Sequence, residues 1–306
     1  MDAPSPTTVI VTGGAGFIGR ALISLLSREG YQVIVIDLVD PKIAGIRFVK
    51  VDLAKDVPQP ELFEGVGAVI HLAGKNIFGR WTKKFKKELY DSRIKSTAHI
   101  VSALARVSRK PKVFISASAI GYYGDRGNEI LDEESPPGND FLARLVCDWE
   151  HEASMARSLG IRDVSLRTAP VLGRGGILGT LYPFFRYGLG TILGPGTQWF
   201  SWIHIEDLVN MYLFALSNKE LFGPINASSP NPVPQREFAK RLGQCLKRPV
   251  LIQVPRFALR GILGELADSM LASERVSSKK IYSLGFRFRH ATVDAALSNI
   301  LPRFSS

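Results

Sequence analysis

The chain of 306 residues is 45% hydrophobic and 22% charged, an ordinary globular balance that excludes disordered, collagen-like and low-complexity architectures. Its 39 Lys and Arg against 28 Asp and Glu give a net charge of +11, and the two cysteines, Cys147 and Cys245, exclude a disulfide framework or a thiolate zinc site. No apolar run reaches the roughly 18 residues that crossing a bilayer takes. The first strand is expected at Val9–Val11, followed by a glycine-rich turn and a helix over Gly16–Glu29. Further buried strands read at Gln32–Ile36, Phe48–Val51, Ala68–Leu72, Val113–Ser116 and Val164–Leu166. Helices fill the gaps, a long one after Trp81 and another over Phe141–Leu159. Short apolar strands alternating with helices predict an α/β fold, a Rossmann-type doubly wound parallel sheet. From Leu172 the glycines at Gly173, Gly175, Gly176, Gly188, Gly190, Gly194 and Gly196 break the pattern into loops. Helices resume near Ile205–Ser217, Gln235–Leu246, Phe257–Leu271 and Val293–Leu301.

The segment Thr12-Gly13-Gly14-Ala15-Gly16-Phe17-Ile18-Gly19 stands directly between a strand and a helix. Gly13 allows the tight turn, Gly16 lets the backbone approach a pyrophosphate, and Gly19 lets the helix pack close to the strand. The helix N-terminus then presents free N–H groups and a positive dipole end to the phosphates. Asp37 ends the next strand, where a carboxylate accepts from ribose hydroxyls and repels a 2′-phosphate. The expected cofactor is therefore NAD or NADP, with NAD favoured by Asp37. Arg20, at the start of the helix, is the counter-argument, because it can reach a phosphate. Asp52 and Leu53 after the third strand are placed to contact adenine, with a plain turn as the other reading of Asp52. Leu72, Ala73 and Gly74 end the fourth strand and lie along the cofactor. The division expected is an NAD(P)-binding Rossmann domain over 1–170 and a smaller α/β substrate-side region over 171–306, packed onto the sheet.

From Lys75 to Lys112 the chain holds twelve Lys and Arg and two acids, Glu88 and Asp91. Lys83, Lys84, Lys86 and Lys87 are at the centre, with Trp81, Phe85 and Tyr90 interleaved. Either this is a solvated helix face or it docks an anionic partner, an acidic protein at Lys83–Lys87 before nucleic acid, since no nucleic-acid fold motif accompanies it.

The cofactor turn and Ser116-Ala117-Ser118 resemble the extended short-chain dehydrogenase/reductase superfamily. Longer motifs sharpen the resemblance: Arg80-Trp81-Thr82, Ser92-Arg93, Ser118-Ala119-Ile120-Gly121-Tyr122-Tyr123-Gly124, Leu166-Arg167-Thr168, Trp202-Ile203-His204-Ile205-Glu206-Asp207 and Gly223-Pro224-Ile225-Asn226. The chain is similar to the atypical epimerase-family branch that includes the plant giant-chloroplast protein and bacterial members labelled cell division inhibitors. From about Ile252 it resembles that branch's C-terminal domain of unknown function. The resemblance implies a soluble intracellular protein, of the cytoplasm or of a mitochondrial or plastid interior after removal of a transit peptide. The acidic, proline-bearing start Met1-Asp2-Ala3-Pro4-Ser5-Pro6 is itself unlike a targeting peptide.

In that superfamily a Ser, Tyr and Lys do the chemistry, the Tyr trading a proton with the substrate. Ser118 matches the Ser. Where Tyr-x-x-x-Lys is expected, Phe141-Leu142-Ala143-Arg144-Leu145 stands, so Phe141 and Leu145 replace the pair. Losing a general acid costs roughly 10²–10⁴ in rate, which puts standard dehydrogenase chemistry in doubt. Tyr122 is the substitute acid, with Tyr123 beside it and packing as the other role for each. Arg93 is grouped with the cofactor residues, and both it and Arg167 suit an anionic group. Trp81, Tyr123, Arg167 and Trp202 are the candidate substrate pocket. His204 and Asp207 read as structural, and no metal-ligand spacing stands out. Two functions compete: an NAD(P)-dependent oxidoreductase or epimerase on a small polar substrate, or a non-catalytic nucleotide-binding sensor or subunit of an assembly, organellar if the branch is a guide, docked through Lys75–Lys112.

Overall fold

The computed structural model describes residues 7–301, so the acidic start at 1–6 lies outside the described residues. Seven strands form one parallel sheet: β1 Thr8–Thr12, β2 Gln32–Asp37, β3 Arg47–Lys50, β4 Ala68–His71, β5 Val113–Ala119, β6 Arg162–Thr168 and β7 Gly223–Ala227. Their order is β7-β6-β5-β4-β1-β2-β3. The chain reverses direction across the sheet between β1 and β4, and the crevice beyond the carboxyl ends of those strands is where a doubly wound sheet binds ligands.

Alternation along the strands sends neighbouring residues to opposite faces. Val9, Val11, Val33, Val35 and Ile115 pack against Leu22 and Ile23 of α1 (Phe17–Arg28) and against Leu208 and Met211 of a later helix, Ile205–Ser217. Ile10, Ile36, Val69 and Phe114 face the other way, onto Ile100 and Leu104 of α2 (Lys83–Ala105) and the end of α3 (Phe141–Ser154). The start of each of these two helices is fixed by a side chain: Thr82 accepts from the Phe85 N–H, and Asp140 accepts from the Ala143 N–H.

The last 130 or so residues do not form a separate unit. They supply β7 and the helix Ile205–Ser217 to the main sheet, so the stretch 171–301 shares the core of the stretch before it. Two expected elements differ. The glycine-rich stretch after Leu172 contains a helix, α4 (Gly176–Arg186), because Leu178 and Phe185 are drawn into a third apolar cluster with Trp202 and Phe238. The helix expected over Phe257–Leu271 is two short ones, Arg256–Leu263 and Leu266–Met270, broken at Gly264, whose φ of +62° favours glycine. Short strand pairs sew the end of the chain to its middle: Arg275–Val276 to Ile130–Leu131, and Ile252–Val254 to Thr191–Leu193.

Candidate functional site

The glycine turn is built as its spacing predicts. A Cβ on Gly13, where φ is +70°, would lie 2.7 Å from the backbone of Leu72 and Ala73. One on Gly19 would meet Gly13 O at 2.4 Å and Gly14 Cα at 2.7 Å. These two glycines therefore bring the turn against the β4 loop and α1 against the turn. Gly16 is exposed and opens α1 with no side-chain cap and no acidic residue in the first turn. The free N–H groups of that turn are left for an anion. The Phe17 ring packs against Gly173, Gly175 and Gly176 and supports the loop before α4.

Asp37 is at the tip of β2. Its carboxylate accepts from the Ala15 N–H at 2.9 Å and the Leu38 N–H at 2.6 Å, which holds a negative charge beside the turn. Arg20 donates to Ala15 O at 3.0 Å and Pro41 O at 2.8 Å, on the same rim. Asp52 behaves as a turn residue, accepting from the Ala54 N–H and pairing with Lys55, while Leu53 is buried.

Below the Leu72–Gly74 loop lies a buried polar chain. His71 Nδ1 is 2.6 Å from Thr12 Oγ1, and its Nε2 is 3.1 Å from Thr97 Oγ1. Burial, with Arg93 nearby, pushes the His71 pKa down to about 3, so the ring is neutral at physiological pH. Arg93 reaches Gly74 from α2 and lies over the Trp149 ring at 5.1 Å. Burial lowers its pKa to about 10, and no ion pair holds it among the described residues. Ser116 is buried and donates to Ala117 O.

The ends of β5, β6 and β7 carry a second network. Ser118 is buried and donates to Glu150 Oε1 at 2.5 Å. Glu150, on α3, takes a two-point pair from Arg167, with Nε and Nη2 each at 2.8 Å. Arg167 also donates to Tyr123 OH and Glu133 O, and Tyr123 OH donates to Asn226 Oδ1 at 2.7 Å. Burial opposes the Arg167 charge, but Glu150 outweighs it and the pKa stands above its ordinary value. The Arg167 guanidinium lies over the Tyr122 ring, its carbon 3.5 Å from the ring centre. Burial raises the phenol pKa of Tyr122, and pushes that of Tyr123 up to about 12.

The candidate pocket residues fall in different places. Trp202 is wholly buried in the third apolar cluster, with its Nε1 donating to Asn231 O. Arg167 is turned inward to Glu150, and Ser118 shares that carboxylate. Trp81 and Tyr123 do border a cavity of about 510 Å³, roofed by the C-terminal residues Glu265 and Ser269. Phe141 forms its apolar wall, edge-on to Trp81 at 5.5 Å. Glu150, Glu133 and Asn226 join this network; Asn226 falls within the Gly223–Asn226 motif, whereas Glu150 lies outside every motif.

Much of the basic segment is already paired. Lys75 meets Glu88 at 2.7 Å, Lys86 meets Glu265, and Lys87 and Lys95 both meet Asp91. His204, Glu206 and His290 gather ligand-type atoms within 4.8 Å of one another. His204 Nδ1, however, accepts the Glu206 N–H at the start of its helix, which puts the ring proton on the Nε2 that a metal would need. Asp207 accepts from the Arg289 and His290 N–H groups and so fastens the C-terminal stretch. No helix among the described residues is long and apolar enough to cross a membrane.

Comparisons with known proteins agree with the fold. The chain is 38% identical over 97% of its length to the chloroplastic epimerase family protein SDR39U1 homolog of Arabidopsis thaliana, covering 87% of that protein. It is 34% identical to the epimerase family protein YfhF of Bacillus subtilis, over 96% of this chain and 97% of that one. The crystal structure of human SDR39U1 with NADPH superposes with a TM-score of 0.88 at 31% identity, over 97% of this chain and 99% of that one. The UDP-glucose 4-epimerase of Thermus thermophilus, solved with NAD, shares the fold with a TM-score of 0.79 at 21% identity, over 95% of this chain and 98% of that one. Residues 254–300 match a domain of unknown function, DUF1731. Residues 9–227 match the NAD dependent epimerase/dehydratase family, and the chain belongs to that family.

Proposed function

We propose that this protein binds NAD in preference to NADP and carries out hydride transfer on a small polar substrate, as an oxidoreductase or epimerase. The observation that carries the reading is the cofactor cradle. Its glycines are required by backbone contacts, α1 opens onto it uncapped, and Asp37 holds a carboxylate against the Ala15 N–H. A 2′-phosphate brought to that carboxylate meets a like charge.

In this reading Gly13, Gly14, Ala15, Gly16, Phe17, Ile18 and Gly19 form the pyrophosphate turn. Asp37 faces the adenosine ribose, with Asp52 and Leu53 toward the adenine side. Leu72, Ala73, Gly74, Ser116 and Ala117 flank the middle of the dinucleotide, and the Arg93 guanidinium answers its negative charge. Bound NAD supplies a hydride acceptor, or in its reduced form a donor, at the nicotinamide ring. Tyr122 carries its proton at neutral pH as any phenol does and in this reading donates it to a substrate oxygen, although burial, which raises its pKa, makes it a weaker acid. Ser118, through Glu150, positions the strand end from which Tyr122 follows. Phe141 and Leu145 carry no proton and cannot take this part. The docking alternative loses ground because Lys86 and Lys87 already have carboxylate partners within the chain.

The test is a calorimetric titration of cofactor-stripped protein with NADH and then NADPH. NADH is expected to bind more tightly, and Asp37→Ser is expected to narrow the difference. Equal or tighter NADPH binding to the unaltered protein overturns the preference. Once a substrate is in hand, Tyr122→Phe is expected to lose about 10²–10⁴ in rate, and an unchanged rate removes Tyr122 from the mechanism.

A further inference from the structure

Arg93 brings to the cofactor crevice a charge that no carboxylate among the described residues neutralises. It stands on α2, half-buried, behind the loop that ends β4. A Cβ on Gly74 would lie 3.4 Å from its Cζ and 3.5 Å from its Cγ, so the side chain runs flush along that glycine. Gly74 itself is exposed, at the carboxyl end of β4 where the crevice opens. The guanidinium lies over the Trp149 ring of α3 at 5.1 Å. One turn earlier on the same face of α3 is Leu145, also buried. On this face α3 therefore offers Arg93 an aromatic ring and no charge.

Acids of both helices are turned to other groups. Lys75 holds Glu88, Lys87 and Lys95 hold Asp91, Arg167 holds Glu150, and Asp148 accepts from Tyr90 OH. Among the described residues the Arg93 guanidinium donates only to Leu89 O of its own helix, at 3.3 Å. The Trp149 ring offsets part of the charge. A cation held partly out of water with no anion beside it still costs stability. Arg suits an anion at such a place, because its guanidinium keeps its charge and presents a planar fork to phosphate oxygens.

We infer that Arg93 couples the stability of the fold to the dinucleotide: its charge stands unanswered in the free protein and is answered by the cofactor's phosphate oxygens. The inference rests on the cofactor reading above and adds a linkage to it. The residue lowers the stability of the free chain and raises the gain on binding. Where the Tyr-x-x-x-Lys pattern expects Lys, α3 carries Leu145, so the cation beside this loop comes from α2 instead.

Arg93→Met and Arg93→Lys are compared with the parent, each as the full chain stripped of cofactor. Met keeps an apolar contact with Trp149 and removes the charge. NADH is titrated by calorimetry, and melting temperatures are taken without and with NADH. Arg93→Met is expected to bind NADH about tenfold or more weakly, the loss of a charge-assisted hydrogen bond. Stripped, it is expected to melt no lower than the parent, and added NADH is expected to raise its melting temperature less. Arg93→Lys keeps the charge and is expected to hold the greater part of the affinity. Unchanged NADH affinity in Arg93→Met overturns the inference. So does a stripped Arg93→Met protein that melts below the parent, the mark of a purely structural residue, or an Arg93→Lys protein as weak as Arg93→Met. A parent that binds no NADH overturns the cofactor reading itself, whereas a parent that binds it with an affinity indifferent to Arg93 overturns this inference alone.

Discussion

Replacing Glu150 by Ala tests whether the buried network is the keystone of the strand ends. Arg167 has a side-chain exposure of 3% and Glu150 of 15%, and they meet through two contacts of 2.8 Å. Truncating Glu150 leaves the guanidinium buried with only Tyr123 OH and the Glu133 carbonyl, and leaves the Ser118 hydroxyl without its acceptor. Breaking a buried pair by removing one partner costs about 3–5 kcal/mol. At about 2–4 °C per kcal/mol the melting temperature falls by about 10 °C. Guanidinium chloride unfolding followed by circular dichroism reads the free-energy change directly. Removing the stranded charge as well, with Arg167→Met on the Glu150→Ala background, is expected to recover part of the loss. A Glu150→Ala protein within about 1 kcal/mol of the parent would refute the reasoning, because that is the worth of an exposed pair.

His71 gives a pH signature. Its folded pKa of about 3 is below the ordinary 6.5, so the unfolded chain binds the proton more readily. Stability is fully present above pH 6.5 and falls by about 1.4 kcal/mol per pH unit as pH drops through the window toward 3. His71→Asn should flatten that slope in unfolding curves taken at pH 7, 5.5 and 4. Glu274 works in the opposite sense: its folded pKa of about 8 exceeds the ordinary 4.5, so stability is lost as pH rises toward 8. Glu274→Gln should therefore exceed the parent in stability at pH 8, and an equal melting temperature there would count against an uncompensated carboxyl. Gly19→Ala should abolish NADH binding, since its Cβ would stand 2.4 Å from Gly13 O, and a normal titration would show that the turn can move.

The cofactor half is legible because its signals are local. A strand, a glycine turn, a helix and an acid at the next strand end lie within Thr8–Asp37, and each follows from backbone sterics or charge. The seventh strand escapes a reading by pattern because Gly223-Pro224-Ile225-Asn226-Ala227 lacks an apolar run. As an edge strand it tolerates Pro224, which needs no N–H on its outer side. The helix α4 is hidden by Gly176 and Gly179 and is held by tertiary burial of Leu178 and Phe185. Glu150 looks like any acid on an amphipathic helix beside Asp148 and Glu152. Only its contact with Arg167, on the next strand, singles it out. The burial of Trp202 is not legible, because an aromatic in a pocket-side motif and an aromatic in a core carry the same sequence signal.

The roof over the cavity also orders the events of synthesis. The turn, Asp37 and the Leu72–Gly74 loop are all translated by Gly74, whereas the cavity needs Glu265 and Ser269, and the strand Arg275–Val276 must thread back to Ile130–Leu131. The residues of the turn and of the Leu72–Gly74 loop thus leave the ribosome long before those that roof the cavity. The pairing of Arg275–Val276 with Ile130–Leu131 therefore forms only after nearly the whole chain has been made.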